Sequence, residues 1–509
     1  MSAGIKTTVW ITGDQCSLAN TALQSVSREN TCVLMVESVS RGRIRHYHKK
    51  KLVLIYSIMR HFAEELVALG WKVDYYHEQA NFQSAIRKHL DKYSPDQFVM
   101  MEQSEYGATK RFTDILKPIP VQVTKHSHFI STAEEFESLH KNEDSRVTME
   151  NFYRLMRRKT NLLMDGKEPE GGEWNYDKEN RKPPVADMQW KELLQFPPDE
   201  ITRDVIAMVE RNFADHPGST ADWKYAVTRD DAIKAAQDFF ENRLQNFGAY
   251  QDAMLDGEPF LNHSVLSPYI NTCLLHPLEL AAEAEKQYRM GRASLSSAEG
   301  FIRQLIGWRE FIWRVYWRMM PEYRERNALN ANQKLPQMFK SGETKMNCLH
   351  DAFRTVEKYG YAHHIVRLML LGNFALIAGL DPIETNEWFN CMFVDAYDWV
   401  MVPNVIGMTL HADGGYVGTK PYAASANYIN KMSNYCKGCA YNHRETTGEN
   451  ACPFNFLYWD FLMRNEKKFA GNKRMALVMK SLEAKTEQWK QAVRKQARQW
   501  LAKLDIAAI

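Results

Sequence analysis

Four of the eight cysteines are spaced to hold a metal centre. Cys436-Lys-Gly-Cys439 is a knuckle whose two thiolates can chelate one centre, and Cys452-Pro453 follows after twelve intervening residues. Structural zinc usually carries two such knuckles, whereas a Cys-Pro after a spacer is common in iron–sulfur loops. The fourth thiol must come from far away. Cys348, in the polar context Lys345-Met-Asn-Cys-Leu-His-Asp351, is the candidate. One knuckle plus two lone cysteines favours a [4Fe–4S] cluster over zinc, and no βαβ thioredoxin pattern surrounds it to suggest a redox pair. Cys16, Cys32, Cys273 and Cys391 lie in apolar or mixed segments and read as buried or inert thiols.

A second set of residues lies in the apolar runs of the C-terminal half. Ser267-Pro268 reads as an N-cap followed by a favourable first helical residue. Ser264 and Ser267 would then flank the free N–H groups of a new helix, a natural pyrophosphate seat, although a plain helix start is the commoner meaning of Ser-Pro. Phe301–Phe311, Tyr361–Arg367 and Val394–Asn404 each place Arg, His, Asp or Asn among apolar residues. Such groups are expensive to bury unless they pair.

The elements that must position these residues follow from pattern. Segments 7–13, 31–37, 71–78, 97–102 and 120–124 read as short strands alternating with helices at 48–69 and 82–93. That alternation gives an α/β fold whose N-terminal domain, 1–135, is a doubly wound parallel sheet. It lacks GxGxxG, which disfavours an ordinary NAD site. Residues 149–160 read as helix, the Gly-, Pro- and charge-rich stretch 165–184 lies within an inter-domain linker spanning 136–200, and 201–509 reads as all-α. Helices are expected over 230–246, 268–285, 296–320, 348–379, 386–400, 420–435 and 478–504. The 509 residues give ample cores, and the 65 basic residues nearly cancel the 62 acidic ones, so net charge neither demands nor excludes a nucleic-acid partner. No run approaches the roughly 20 apolar residues that span a bilayer. The start, without a signal-peptide apolar region, reads as cytoplasmic.

Tyr250 followed by Ser264-Val-Leu-Ser-Pro-Tyr269, then Trp308-Arg-Glu-Phe311, then Asp395-Ala-Tyr-Asp-Trp399 ahead of Asn404, resembles the FAD domain of the photolyase/cryptochrome superfamily. With the cysteine set, Gly13-Asp-Gln15, His48-Lys-Lys-Lys-Leu52 ahead of Met59-Arg-His-Phe62, Met149-Glu-Asn-Phe-Tyr153 and Tyr435-Cys-Lys-Gly-Cys439, the resemblance narrows to the iron–sulfur bacterial cryptochromes and photolyases, the bacterial (6-4) DNA photolyases. It covers essentially the whole chain.

The resemblance implies a C-terminal all-α FAD-binding domain of photolyase/cryptochrome type. Tyr250, His263, Ser264, Leu266 and Ser267 would line the FAD phosphates and ribityl chain, and Gln304, Trp308 and Arg309 would wall the pocket. Arg367 would pair with Asp395, Asp398 would approach the flavin ring and Asn404 would face its N5. Gly307 stands as an extra residue before Trp308, and two extra residues separate Asp398 from Asn404. His363 and His364 are the acid/base candidates; on one helix they would point about 100° apart, so only one faces the lesion. Trp388 and Tyr428 are candidate electron relays, and Cys348, Cys436, Cys439 and Cys452 the cluster ligands. The family's antenna, 6,7-dimethyl-8-ribityllumazine, would meet Asp14, Gln15, Glu37, His48 and Lys51 near strand C-termini. The basic segment 41–51, with six Lys/Arg and no acid, reads as a solvated charge run or as antenna or phosphate contact.

The expected function is light-driven repair of (6-4) pyrimidine–pyrimidone photoproducts in UV-damaged DNA by a monomer. The alternatives are a blue-light sensor of the same fold with weak or no repair, and a non-catalytic iron–sulfur DNA-binding module resembling that of primase large subunits, which would carry no flavin.

Overall fold

The structure, a computed structural model, describes residues 4–140, 142, 145–185 and 190–504; residues 141, 143, 144 and 186–189 of the expected linker lie outside the described residues. Five parallel strands, β1 (Thr7–Trp10), β2 (Thr31–Ser38), β3 (Lys72–Gln79), β4 (Gln97–Met101) and β5 (Val121–Thr124), form a sheet in the order β3-β2-β1-β4-β5. Side chains alternate across it, as the period of two requires. Val9, Val33, Met35 and Val99 join the large core shared with the helical half. Trp10, Leu34, Val36 and Phe98 form a smaller core with Ala85, Ile86 and Leu116 on the other face. The order reverses between β1 and β4, which opens a crevice at their carboxyl ends. Asp14, after β1, crosses that crevice to accept from Ser104, after β4, at 2.6 Å.

The first domain is joined to the helices by polar groups. Helix α1 (Lys49–Ala68) begins at the seam, capped by His48. His48 Nε2 meets the Glu357 carbonyl at 2.7 Å, Lys50 donates to the Lys358 carbonyl at 2.5 Å, and Tyr225 donates to that of Tyr359 at 2.7 Å. All three carbonyls belong to the last turn of α2 (Asn347–Tyr359), where intrahelical partners run out. Lys51 is buried, donates to the Asn390 carbonyl at 3.2 Å and to that of Ala396, and sits over Tyr47 and Tyr397.

The expected linker is docked rather than free. Arg157, fully buried, donates to the carbonyls of Leu162, Leu163 and Trp174, and Asn180 donates to Ser296 O at 3.2 Å. Farther upstream, the fully buried Glu310 carboxylate accepts from Ile130 N, Ser131 N and Ser131 Oγ at 3.1, 2.9 and 2.7 Å, and pairs with Arg309 at 3.1 Å.

The helical half departs from the expected spans where the backbone changes type. The expected helix 348–379 is two: α2 stops at Gly360, in left-handed conformation (φ 62), 361–363 is non-helical, and the chain turns helical again at His364. The expected 268–285 divides into Ser267–Asn271 and Pro277–Arg289, and 386–400 into Pro382–Met392 and Asp398–Val402. Three stretches, Arg303–Arg309, Val366–Gly372 and Pro403–Thr409, are π-helical turns. A π turn accommodates one surplus residue, and such turns are frequent at functional sites. The extra Gly307 falls in the first of them, and the last begins within the lengthened stretch between Asp398 and Asn404. No helix among the described residues is long and apolar enough to cross a membrane.

Removing Glu310 leaves Ile130 N, Ser131 N and Ser131 Oγ without their acceptor and Arg309 without its carboxylate. Glu310→Ala is therefore expected to lower stability by about 3 kcal/mol or more, read from the denaturant midpoint at pH 7. An unchanged midpoint would show that this carboxylate does not hold the 130–131 segment.

Candidate functional site

At the centre of the helical half Arg367 and Asp395 form a fork, Nη1–Oδ1 2.9 Å and Nη2–Oδ2 3.1 Å. Each has further partners. Ser267 Oγ donates to Asp395 Oδ2 at 2.6 Å, and Asn271 donates to the Asp395 carbonyl at 2.8 Å. Arg367 Nε donates to the Ala362 carbonyl at 2.6 Å, and its guanidinium lies 4.0 Å over Phe393. Ser267 was expected to cap its helix. Its hydroxyl goes to Asp395 instead, and the helix starts with Leu266 at the cap position and no side-chain cap bond.

Two histidines stack beside this fork. His263 and His363 are buried, their rings 4.2 Å apart at 10°. His263 Nε2, His363 Nδ1 and Asn262 Nδ2 are buried without a hydrogen-bond partner, a cost of about 1–3 kcal/mol each unless something else bonds to them. Leu261 (φ 45) and Val265 (φ 55) put left-handed strain on either side of His263, and such strain clusters at ligand sites. His364, next in sequence, is exposed. The two were expected on one helix; the break at 361–363 leaves His363 non-helical and buried, and His364 on the first helical turn. The surrounding protein, then Arg367, holds His364 below the ordinary imidazole range. Ser264 lines an adjoining cavity with Lys224, Arg243, Tyr225, Tyr269 and Tyr359, and Arg243 Nε there is buried and unpaired.

Other expected pocket residues are engaged elsewhere. Arg309 donates to the His128 carbonyl at 2.7 Å and lies 4.1 Å over Phe129, at the seam with the first domain. Asp398 accepts from Tyr316 at 2.9 Å and from Arg324, and faces Arg45 of the first domain at 3.7 Å. Both are charges needing burial partners, and the seam supplies them. Gln304 and Asn404 each donate to a carbonyl four residues back, at 2.9 and 2.8 Å. Leu266 is buried core; Tyr250 and Trp308 are half-buried and pack edge-on against Trp190 and Phe311. Trp388 donates to the Phe339 carbonyl at 2.7 Å and stands 5.9 Å from Phe393, the ring beneath Arg367. Tyr428 is half-buried, its hydroxyl pushed upward first by burial and then by Asp252.

Cys436, Cys439 and Cys452, named from spacing, and Cys348, named from its polar context, line one small cavity with Tyr435, Tyr441, His443 and Phe454. Cys348 opens the first turn of α2, and Cys452 caps Pro453–Arg464; helix N-termini favour thiolates there. Gly438 (φ 77) turns the chain between Cys436 and Cys439. Burial raises Cys348 well above the usual thiol range, Cys452 to about 12 and Cys436 to about 11, so loading a metal must expel protons.

The residues expected around an antenna divide. Asp14, pushed upward by burial, and Lys51, pushed down to about 7 by burial, flank Tyr397, whose hydroxyl is buried without a partner. Gln15 donates to the Glu102 carbonyl behind them, at 2.8 Å. Glu37 is closed off: burial raises it, but bonds from His77, Arg60 and Tyr75 bring it down to about 2. His48 is spent on capping α1 and on Glu357.

Residues 9–225 match the family model for deoxyribodipyrimidine photo-lyase-related proteins. A (6-4) photolyase of Agrobacterium fabrum is 43% identical over 504 residues, 98% of this chain and 99% of the relative. An uncharacterised protein of Acanthamoeba polyphaga mimivirus is 39% identical over 109 residues, 21% of this chain and 81% of its own length. The fold is shared with the crystal structure of a bacterial class III photolyase from Agrobacterium tumefaciens (TM-score 0.58, 15% identity, 98% of both chains) and with a Synechocystis cryptochrome (TM-score 0.56, 14% identity, 84% of this chain and 86% of the other).

Burial holds His48 at about 4 and His126 and His263 at about 3. These folded values lie below the unfolded value of about 6.5. The stability from keeping them neutral is complete above 6.5 and is lost as pH falls toward the folded values. Between pH 6.5 and 4.5 the unfolding free energy should drop by about 1.4 kcal/mol per pH unit per histidine. His126→Gln should remove one histidine's share of that slope; a flat profile would mean that these rings are protonated in the folded protein.

Proposed function

The chain belongs to the bacterial (6-4) photolyase family, and on that membership we propose that it repairs (6-4) pyrimidine–pyrimidone photoproducts in UV-damaged DNA under illumination. The identity of 43% across both full lengths carries this reading. The lesion, flipped out of the duplex because stacked bases are out of reach, would meet the exposed His364. FAD would be held by the helical half. The fit is supported by the unpaired ring nitrogens of His263 and His363 and the unpaired Asn262 amide; Lys224, Arg243 and Ser264 would meet the pyrophosphate from an adjoining cavity where Asp222 and Asp238 offset their charge, Arg243 pairing with Asp238 at 2.7 Å. When bound and reduced, FAD supplies the light-driven electron donor.

The chain's own residues position and protonate. The Arg367–Asp395 fork fixes the segments that carry Ser267, His363 and Phe393. His364, exposed but kept neutral by the surrounding protein and Arg367, would give the proton that (6-4) repair requires from its ring N–H, while buried His363, also neutral, braces His263. Trp388 and Tyr428 conduct electrons inward. Cys348, Cys436, Cys439 and Cys452 would hold a [4Fe–4S] cluster, a reading supported by the cavity they share. 6,7-Dimethyl-8-ribityllumazine would be held by Asp14 and Lys51 near the β1/β4 crevice, where the unpaired Tyr397 hydroxyl supports a polar ligand. The working form is a cytoplasmic monomer.

Reduced protein is illuminated with oligonucleotides carrying either a (6-4) product or a cyclobutane dimer, and lesion loss is followed by chromatography. The (6-4) product should disappear in light only and the cyclobutane dimer persist; survival of the (6-4) product with FAD bound overturns the reading. His364→Ala should retain FAD and lose repair by about 100-fold or more; undiminished repair would remove it as proton donor.

Cys348→Ala should lose iron and sulfide together with much of the folded yield. Stoichiometric iron in that variant would exclude Cys348 as a ligand.

A further inference from the structure

Two loops meet where the first domain enters α1. Lys49 N donates to the Pro217 carbonyl at 2.9 Å, and the Arg43 guanidinium donates to the Asn212 carbonyl. At this junction one ligating atom each from His46, Asp215 and His216 comes within 4.8 Å of the other two, and no other trio of His, Cys, Asp or Glu among the described residues does so. The two imidazoles are 5.2 Å apart, and His46 Nδ1 is 4.0 Å from Asp215 Oδ2.

The buried member is prepared for a metal. His216 is 5% exposed, and its Nδ1 lies 2.9 Å from the Tyr47 carbonyl. A carbonyl can only accept, so Nδ1 carries the proton and Nε2 is the lone-pair nitrogen. Proteins orient metal-binding histidines by this type of second hydrogen bond. His46 and Asp215 are exposed, at 71% and 51%, so water can complete a coordination sphere.

We propose that His46, Asp215 and His216 form a binding site for a divalent transition-metal ion. Two imidazoles and one carboxylate suit zinc, copper, nickel or cobalt; calcium and magnesium take oxygen ligands. Bound there, the ion clamps the 43–48 loop to the 213–216 turn. Arg43 is its competitor. It pairs with Asp215 Oδ1 at 3.3 Å and rests over Phe213 at 5.5 Å. An incoming cation must displace that guanidinium, so Arg43 sets the affinity without being a ligand.

The test is calorimetric titration of tag-free holoprotein with ZnCl2 alone. Wild type should bind one zinc more than His46→Ala or His216→Ala, at micromolar Kd or tighter, and Arg43→Gln should bind that zinc about tenfold more tightly. Cupric ion added at one equivalent should show nitrogen hyperfine structure in its electron paramagnetic resonance spectrum, lost in either histidine variant. Equal stoichiometry and affinity in wild type and both histidine variants, or weaker binding in Arg43→Gln, overturns the site. If His216→Ala fails to fold, the exposed His46→Ala decides alone.

Discussion

The Arg367–Asp395 fork is the constraint on which the helical half turns. A guanidinium and a carboxylate taken from water are each costly, and a buried pair persists only where geometry and extra hydrogen bonds compensate. Here every branch of the pair is occupied: Ser267 on one oxygen, Asn271 on the backbone of Asp395, the Ala362 carbonyl on Nε, Phe393 on the guanidinium face. Three segments distant in sequence are thereby held in one arrangement. The stacked histidines, the strained 261–265 stretch and the aromatic cluster around Trp388 inherit their places from it.

The second and third π-helical turns pack against each other. Gly372 in the second approaches Thr409 in the third so closely that a Cβ on Gly372 would lie 2.2 Å from the Thr409 methyl carbon. Only glycine permits that contact. Arg367 and Asn404 each lie within one of these two turns, so the close approach fixes the spacing of the elements that bear them.

Much of this was legible in the residues. Strand and helix alternation marked the first domain, because the period of a buried parallel sheet is local. The thiols were legible from spacing, since ligand geometry limits the chain between Cys436 and Cys439. The surplus Gly307 was visible, but its meaning as a π turn depends on backbone bonding that no side-chain pattern encodes. The seam stayed hidden for a different reason. Arg309 and Asp398 look like pocket residues within their own helices; their partners, His128, Phe129 and Arg45, lie 180 or more residues away in sequence. Long-range pairing of single charges leaves no local period to read. The break at Gly360 was similarly masked by the apolar run that follows it.

Helix α2 links two regions otherwise considered separately. Its first turn offers Cys348 to the thiol cavity, and its last three carbonyls are satisfied by His48, Lys50 and Tyr225. Two of those donors belong to the α/β unit. Chimeras that exchange this unit between relatives would leave a lysine ammonium and the tail of a load-carrying rod facing unmatched surfaces, so the two halves should be inherited together as one breeding unit.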